Sequence, residues 1–247
     1  MPAITVRFLG SGDAFGTGGR LQTCLHLSGA GEGSLLLDCG ASSLIALKRA
    51  GLDPGDVGWV LLSHLHGDHF GGLPFLLLDG QFSRRARPLV VAGPPGVRSR
   101  VEAAMEVLFP GSTAATRRFE TSWVELRDRV PVAVGPARVT PFEVEHPSGA
   151  APHALRVEYG GRVVAYSGDT QWTDQLADAA RDADLFVCEA YTFDRPIRFH
   201  LDHATLRAHR ERFTARRIIL THLGPEMLAR TADAAWECAS DGLAVLV

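Results

Sequence analysis

The sequence predicts a mixed α/β (α+β) fold in which two β-sheets are covered by helices on their outer faces. Short apolar runs of strand length occur in two groups, one in the opening third of the 247 residues and one in the second half. Stretches with helical periodicity lie between these runs, so each sheet has helices to cover it. Because no Pro/Ser-rich linker or long charge run interrupts the chain, we expect one domain over residues 1–247.

The first half alternates strand-like segments with helical and glycine-rich stretches. Leu44 and Leu47 recur at helical spacing before Gly51 ends that helix. Strands are predicted at 4–10, 22–28, 33–38, 58–62 and 88–92. Helices are predicted at 43–50, at about 70–82 and at about 95–108.

The second half repeats this organisation with more strands than helices. Strands are predicted at 130–134, 137–145, 154–159, 162–167, 184–189, 217–221 and 243–247. Helices are predicted at 173–180 and at about 203–213. Because the strands come in runs that suit antiparallel pairing, with helices between them, we expect two sheets.

Composition and charge argue against several classes of function. The formal net charge of -3 at pH 7 disfavours indiscriminate binding to nucleic acid or to anionic membranes. Lys48 is the only lysine, so arginine carries nearly all the positive charge. No apolar stretch is long enough to span a bilayer, and no secretory signal precedes the first predicted strand. We therefore expect a cytoplasmic protein without a membrane partner.

The cysteines are widely scattered and form no C-x-x-C pair; they are Cys24, Cys39, Cys188 and Cys238. This pattern suits free thiols in a reducing compartment better than a disulfide framework. Cys24, Cys39 and Cys188 lie in apolar runs, so we expect them to be small core residues.

The most informative motif is a run of three histidines and one aspartate directly after an apolar strand. Imidazole and carboxylate are the ligands that borderline divalent metals prefer. On an extended chain alternating residues point the same way, so His64 and His66 can bind one ion together. Gly67 permits a sharp turn, after which Asp68 and His69 face a second position. The motif predicts a metal centre.

Three further candidate ligands lie in the second half of the chain. His146, Asp169 and His222 each occur where a predicted strand gives way to a loop. Ligands at strand ends are held rigidly by the sheet, while the loops around them shape a substrate pocket. Each of these residues is a weak signal alone, but together they complete the ligand set that a two-metal centre needs.

This order of residues resembles the ligand pattern of the metallo-β-lactamase superfamily, and the resemblance covers nearly the whole chain. It implies a four-layer αββα sandwich with two divalent metal ions, Zn²⁺ first, with Mn²⁺ or Fe²⁺ as alternatives. It also implies that one ion is held by His64, His66 and His146, and the other by Asp68, His69 and His222, with Asp169 bridging them. Asp38 matches an early buried aspartate whose role in the family looks structural.

Within the superfamily, the segments 188–193 and 199–206 resemble the ribonuclease Z-like branch. That branch includes tRNA 3′-processing endonucleases and small phosphodiesterases. Its members have an additional histidine beside the metals, which helps with proton transfer or phosphate binding. His200 matches this histidine best, and His203, one helical turn later, is the alternative.

The resemblance to the tRNA-processing enzymes is incomplete. Those enzymes insert a long arm between the third metal histidine and the bridging aspartate, whereas His146 and Asp169 are only 23 positions apart. The negative net charge also supplies little electrostatic affinity for tRNA. We therefore expect a small phosphodiester or ester substrate rather than whole tRNA. Related proteins often form homodimers, and the sequence leaves the oligomeric state of this one open.

The resemblance implies a metal-dependent hydrolase, in first place a phosphodiesterase, that activates water at two metal ions. Asp68 would orient the nucleophile as well as bind metal, and His200 would stabilise the transition state or protonate the leaving group. A thioesterase or lactonase with the same metals is one alternative, and a non-catalytic metal-binding accessory protein in cofactor biosynthesis is another. The role of the glycine-rich loop 10–20 also stays open.

Overall fold

The protein is described from a computed structural model that covers residues 3–247, and within these residues the strands form two seven-stranded sheets. The first sheet contains β1 (Thr5–Gly10), β2 (Cys24–Ser28), β3 (Ser34–Leu37), β4 (Val57–Leu61), β5 (Leu89–Gly93) and β6 (Thr121–Glu125). The second contains β7 (Val132–Val134), β8 (Ala137–Glu143), β9 (His153–Tyr159), β10 (Arg162–Tyr166), β11 (Leu185–Glu189), β12 (Ile218–Thr221) and β13 (Glu237–Cys238). The last strand, β14 (Ala244–Leu246), returns to the first sheet beside β1.

The two sheets follow the same plan. Each begins with antiparallel neighbours, β1 to β3 in the first sheet and β7 to β10 in the second. Each continues with parallel neighbours, β3 to β6 and β10 to β13. Since parallel strands end at the same edge of a sheet, each sheet has one edge where several carboxyl ends meet.

The helices cover the outer faces of the sheets. Against the first sheet lie α1 (Ser43–Arg49), α3 (Leu73–Phe82) and α4 (Val97–Leu108), and against the second lie α5 (Gln175–Ala179), α6 (His203–Ala208) and α7 (Pro225–Ala229). A third apolar cluster, which includes Phe8, Val157 and Val187, joins the inner faces of the two sheets. Central strands such as β3, β4 and β11 are therefore buried on both faces, which explains why they are nearly continuous apolar runs. The predicted two-sheet fold with outer helices is confirmed.

The helix predicted at 70–82 is in fact two helices, α2 (Gly67–Phe70) and α3, with Gly71 and Gly72 between them. A Cβ atom on Gly72 would lie 2.2 Å from the carbonyl oxygen of Gly40, so the chain can pass there only with glycine. Gly67 lies inside α2, and a Cβ atom there would meet nothing within 4 Å. The expected glycine turn is therefore wrong, and a short helix redirects the chain instead.

Other differences concern short or edge elements. Strand β6 was not predicted, because it lies at the edge of its sheet and its residues are only partly buried. Helix α7 and strand β13 were also missed, and each is no longer than five residues. The helix predicted at 203–213 ends at Ala208, and a 3₁₀ turn, Arg210–Arg212, follows it.

The cysteines are free thiols, and three of them, Cys24, Cys39 and Cys188, are buried as expected. Burial raises the pKa of the Cys24 thiol to about 12, so this side chain behaves as a small core residue. Over residues 3–247, no helix has both the length and the apolar character that crossing a membrane requires.

Candidate metal centre

The predicted ligands meet at one edge of the sandwich, where strands end. The segment 64–69 follows β4, His146 follows β8, Asp169 follows β10 and His222 follows β12. Strands β8, β10 and β12 run in the same direction, so their carboxyl ends lie at the same edge of the second sheet. All seven side chains predicted as ligands belong to clusters that could hold a metal ion.

The first cluster consists of three imidazoles, those of His64, His66 and His146, whose donor atoms lie within 4.8 Å of one another. The Nδ1 atom of His146 donates a hydrogen bond to the carbonyl oxygen of Phe199 at 2.9 Å, so its Nε2 atom is left with a lone pair. That Nε2 atom lies 3.0 Å from Nδ1 of His66. Two ring nitrogens at this distance could bind the same cation.

The second cluster adds carboxylates to imidazoles; its members are Asp68, His69, Asp169 and His222. His69 donates from Nδ1 to a carboxylate oxygen of Asp38 at 2.7 Å, which leaves its Nε2 atom facing the cluster. This Nε2 atom lies 3.1 Å from Asp68 Oδ2 and 3.3 Å from Asp169 Oδ1. The Nε2 atom of His222 lies 3.3 Å from Oδ2 of each aspartate. Oxygen and nitrogen donors thus converge on a second position.

Asp169 lies between the two clusters. Its Oδ2 atom is 3.9 Å from Nε2 of His64 and 3.9 Å from Nε2 of His146, both in the first cluster. The same atom is 3.3 Å from Nε2 of His222 in the second cluster. The side chain is buried, so this carboxylate is held where a group shared by two ions would have to be.

The carboxylates stay ionised despite their burial. Burial alone would raise the pKa of Asp68, but the positive charge on His69 and the hydrogen bond from His222 outweigh it and lower the pKa. Burial would likewise raise the pKa of Asp169, and the charges of His222 and His69 lower it. For His222 the balance is reversed: burial lowers its pKa, but Asp169 and Asp68 raise it to about 9. The ionised carboxylates of this cluster therefore attract cations.

Several donor atoms in the centre lack a hydrogen-bond partner. Over residues 3–247, Nε2 of His64, Nε2 of His69 and Oδ1 of Asp169 are buried without a hydrogen bond of regular geometry. Buried polar atoms are normally paired, because leaving one unpaired costs about 1–3 kcal/mol. Divalent ions bound by imidazole and carboxylate would satisfy these atoms, so the residues present fit a two-metal centre.

Asp38 supports the segment that carries the candidate ligands, and one of its partners, Tyr166, was not predicted from the sequence. Asp38 is fully buried and accepts hydrogen bonds from Ser63 N at 2.8 Å and Ser63 Oγ at 2.7 Å, besides the bond from His69. The hydroxyl of Tyr166 donates to it as well, at 2.8 Å. Asp38 therefore orients the segment that carries the ligands, in line with the structural role expected of it. The contact of Tyr166 could not be predicted, because in the sequence this tyrosine looks like any other large residue of a buried strand.

The candidate accessory histidine, His200, lies beside both clusters. Its Nδ1 atom donates to Glu189 Oε2 at 3.0 Å and lies 4.0 Å from Asp169 Oδ2. Its ring centre is 4.9 Å from that of His146. Burial alone would lower the pKa of His200, but its hydrogen bond to the buried Glu189 raises it. Sequence reasoning assigned Glu189 no role, although an acidic residue that ends an otherwise apolar strand is a recognisable signal.

The alternative histidine, His203, lies in the core. It is fully buried at the start of α6, and its Nε2 atom accepts a hydrogen bond from the backbone of Ala235 at 2.8 Å. Its ring packs against Phe193 and Trp236, with ring centres 4.4 Å and 5.8 Å away. The structure thus places His200, and not His203, next to the candidate ligands.

A cavity of about 440 Å³ opens over the centre. It is lined by Ala14, Phe15, His66, Asp68, His146, Asp169, Tyr191, Ile197, His200 and His222. Ala14 and Phe15 belong to the glycine-rich loop 10–20, so that loop forms part of the cavity wall. The volume is in the range of small-molecule sites.

Comparisons with known proteins relate this chain to a family and to named relatives. A family model described as the beta-lactamase superfamily domain matches residues 34–223. ML1173 of Mycobacterium leprae, an uncharacterized protein, is 35% identical over 198 residues, which cover 77% of this chain and 67% of that protein. Ribonuclease Z of Methanosarcina acetivorans is 25% identical over 272 residues, which cover 89% of this chain and 87% of the relative.

The alignment with that ribonuclease Z is longer than the 247-residue chain itself, so the relative contains segments that this chain lacks. Among solved structures, the metallo-beta-lactamase fold protein YhfI from Bacillus subtilis matches 100% of this chain and 100% of its own, with a TM-score of 0.80. Because the sequence identity to YhfI is 21%, this match is evidence for the fold alone.

Proposed function

The chain belongs to the metallo-β-lactamase superfamily, and from this and its similarity to ribonuclease Z relatives we propose that it is a metal-dependent phosphodiesterase acting on small substrates. The observation that carries the proposal is the position of His200. This histidine is held by the buried Glu189 and lies beside both ligand clusters, at the cavity where a phosphodiester would bind. Cleavage of a phosphodiester requires a proton for the departing oxygen, and an imidazole at this point can donate it.

We propose that the candidate ligands hold two divalent ions, with zinc preferred over manganese or iron. His64, His66 and His146 would hold one ion, and Asp68, His69 and His222 would hold the other, with Asp169 lying between the two sets. When bound, such ions supply an activated water and neutralise the charge that develops on the phosphoryl oxygens.

The chain's own residues then have distinct tasks. Asp68 would accept a hydrogen bond from the attacking water and so orient it towards phosphorus. Glu189 accepts a hydrogen bond from Nδ1 of His200, which directs the Nε2 atom of that ring towards the departing oxygen. Asp38 holds the His69 ring, because its carboxylate accepts a hydrogen bond from Nδ1 of that histidine. These contacts keep the donors in place before the substrate arrives, which is how a preorganised site lowers the barrier.

The size of the substrate follows from the cavity and the charge. A cavity of about 440 Å³ accepts a small molecule, and the chain lacks segments that its ribonuclease Z relative contains. A net charge of -3 gives little attraction to a long polyanion. These observations favour a small phosphodiester over whole tRNA.

The test combines metal analysis with two parallel assays of the purified protein. We expect two divalent ions per chain and hydrolysis of bis(p-nitrophenyl) phosphate that a chelator abolishes and added metal restores. Hydrolysis of a thioester or lactone without hydrolysis of the phosphodiester would instead identify an ester hydrolase. A folded, metal-loaded protein inactive on all three would support the non-catalytic accessory role.

A further inference from the structure

The glycine-rich loop 10–20 places an aromatic ring at the cavity over the metal centre. Phe15 is 85% exposed, although it is a large apolar residue, and it lines the same cavity as His66 and Asp68. A single exposed phenylalanine on a protein surface needs no explanation. One that forms the rim of a site whose floor is polar and buried is a candidate contact for a ligand.

The backbone beneath this ring is held in place. Asp13 is buried, and its Oδ1 atom accepts hydrogen bonds from Phe15 N at 3.1 Å and from Thr17 N at 2.9 Å. Its other oxygen accepts from the hydroxyl of Thr17 at 2.6 Å. Gly16, at φ 67°, allows the tight turn between them. The loop therefore presents the ring from a fixed backbone, so that little conformational freedom is lost when a ligand binds.

The cavity has two chemically different parts. Its floor includes five of the seven candidate metal ligands and His200, which would suit an anionic group when the two ions are bound. Its wall includes the side chains of Phe15, Tyr191 and Ile197, which suit a flat apolar group. A ligand that fits both parts has a phosphate at one end and an unsaturated ring at the other.

We propose that Phe15 determines substrate specificity by stacking on a planar aromatic substituent, an aryl or nucleobase ring, of the phosphodiester that the centre cleaves. This inference rests on the proposed function for the reaction, but the aromatic contact itself can be measured without turnover. Offset stacking against a phenylalanine ring is favourable beyond the burial of area, and it tolerates different ring systems.

The binding experiment compares phenylphosphonate with methylphosphonate, which share the anionic group and differ in the ring. Calorimetric titration of the metal-loaded protein should show that phenylphosphonate binds about fivefold more tightly or better, the effect of one aromatic contact. Phe15→Ala should reduce this preference to nearly one, and Phe15→Tyr should restore it. Phe82→Ala is the matched control, because Phe82 is 79% exposed at the end of α3 and lies outside the cavity.

The kinetic experiment separates this inference from the proposed function. With bis(p-nitrophenyl) phosphate, Phe15→Ala should raise KM by about fivefold and leave kcat nearly unchanged, because the ring contacts a part of the substrate away from the reacting atoms. If the ring preference depends on Phe15 but no phosphodiester is hydrolysed, the aromatic subsite stands and the phosphodiesterase assignment fails. A ring preference that is absent, or that survives in Phe15→Ala, overturns the subsite even if hydrolysis is efficient.

Discussion

The two halves of the molecule provide their candidate ligands in opposite ways. The first half provides four side chains from residues 64–69, a single segment at the end of one strand. The second half provides His146, Asp169 and His222, each at the end of a different strand. A short segment keeps its ligands near one another in any conformation, whereas three strand ends meet only when their sheet has formed. The complete centre therefore depends on the folding of the second half more than on that of the first.

The halves are joined directly beside the centre. The Tyr166 hydroxyl of the second sheet donates to Asp38 of the first, and the backbone N–H of His153 donates to the carbonyl oxygen of Ser63 at 2.9 Å. The two halves also come close together at Gly168, where a Cβ atom would lie 2.9 Å from Cβ of Ser63. Metal binding should therefore be coupled to the docking of the two halves, since only the folded protein brings both ligand sets together.

The largest effect is expected from Asp169, the candidate ligand that lies between the two clusters. Asp169→Ala should remove both metal ions and abolish turnover, an effect beyond the roughly 100-fold loss typical of a group that only orients a ligand. His66→Ala, which affects the first cluster alone, should leave about half of the metal and also lose turnover. Metal per chain, measured by plasma emission spectrometry beside the phosphodiester assay, checks both expectations. Two ions and full turnover in Asp169→Ala would contradict the shared role.

A smaller effect is expected from the second half's proton donor. His200→Ala should keep both ions and lower kcat by about 10²- to 10⁴-fold, because a general acid of this kind contributes that much. Glu189→Gln should cost less, about tenfold, since an amide oxygen can still accept a hydrogen bond from Nδ1 of His200. His209→Ala, outside the cavity, is the control. Undiminished phosphodiesterase activity in His200→Ala would remove this residue from the mechanism.

The junction between the halves can be tested through stability. Tyr166→Phe removes one hydrogen bond to the buried Asp38 and should lower the free energy of unfolding by about 1.5–3 kcal/mol. Tyr159→Phe is the matched control, because Tyr159 is as deeply buried in the same sheet but donates to no carboxylate within residues 3–247. Urea unfolding of the two variants measures the difference. Equal losses in both would mean that the Tyr166–Asp38 contact does not stabilise the junction.

The smallest effect concerns acid stability, for which each half contains a buried histidine outside the ligand set whose pKa is lowered to about 4. Burial lowers the pKa of His26 in the first sheet and of His153 in the second from 6.5 to about 4. As the pH falls below 6.5, the unfolded state binds a proton before the folded state does. The contribution of these two histidines to the free energy of unfolding is therefore fully present above pH 6.5 and is lost as the pH falls from there to about pH 4. Below pH 4 they cause no further loss.

At pH 5.5 this linkage amounts to about 1 kcal/mol for each histidine. His26→Gln and His153→Gln should each reduce the pH dependence of the unfolding free energy between pH 7 and 5.5 by that amount in the metal-free protein. Denaturant unfolding at the two pH values checks it. An unchanged pH dependence in one variant would show that the corresponding half opens enough to hydrate its histidine.

Part of the fold and of the site could be predicted because the signals are local. Strand β4 is an apolar run that ends in the histidine-rich motif, and His146, Asp169 and His222 each follow an apolar strand. The two-sheet architecture follows from such runs, since strands buried on both faces need no polar alternation. Strand β6 could not be predicted, because an edge strand with partly buried residues lacks this pattern.

By itself the sequence determined the two-sheet fold and the chemistry of the candidate ligands, because strand length, burial and ligand type can be read along the chain. Only the tertiary structure decided which groups meet. It placed His200 on Glu189 beside the clusters and His203 in the core, although the two histidines are three positions apart. It also placed Phe15 at the cavity. No local sequence pattern pairs these residues, so the contacts exist only once the chain has folded.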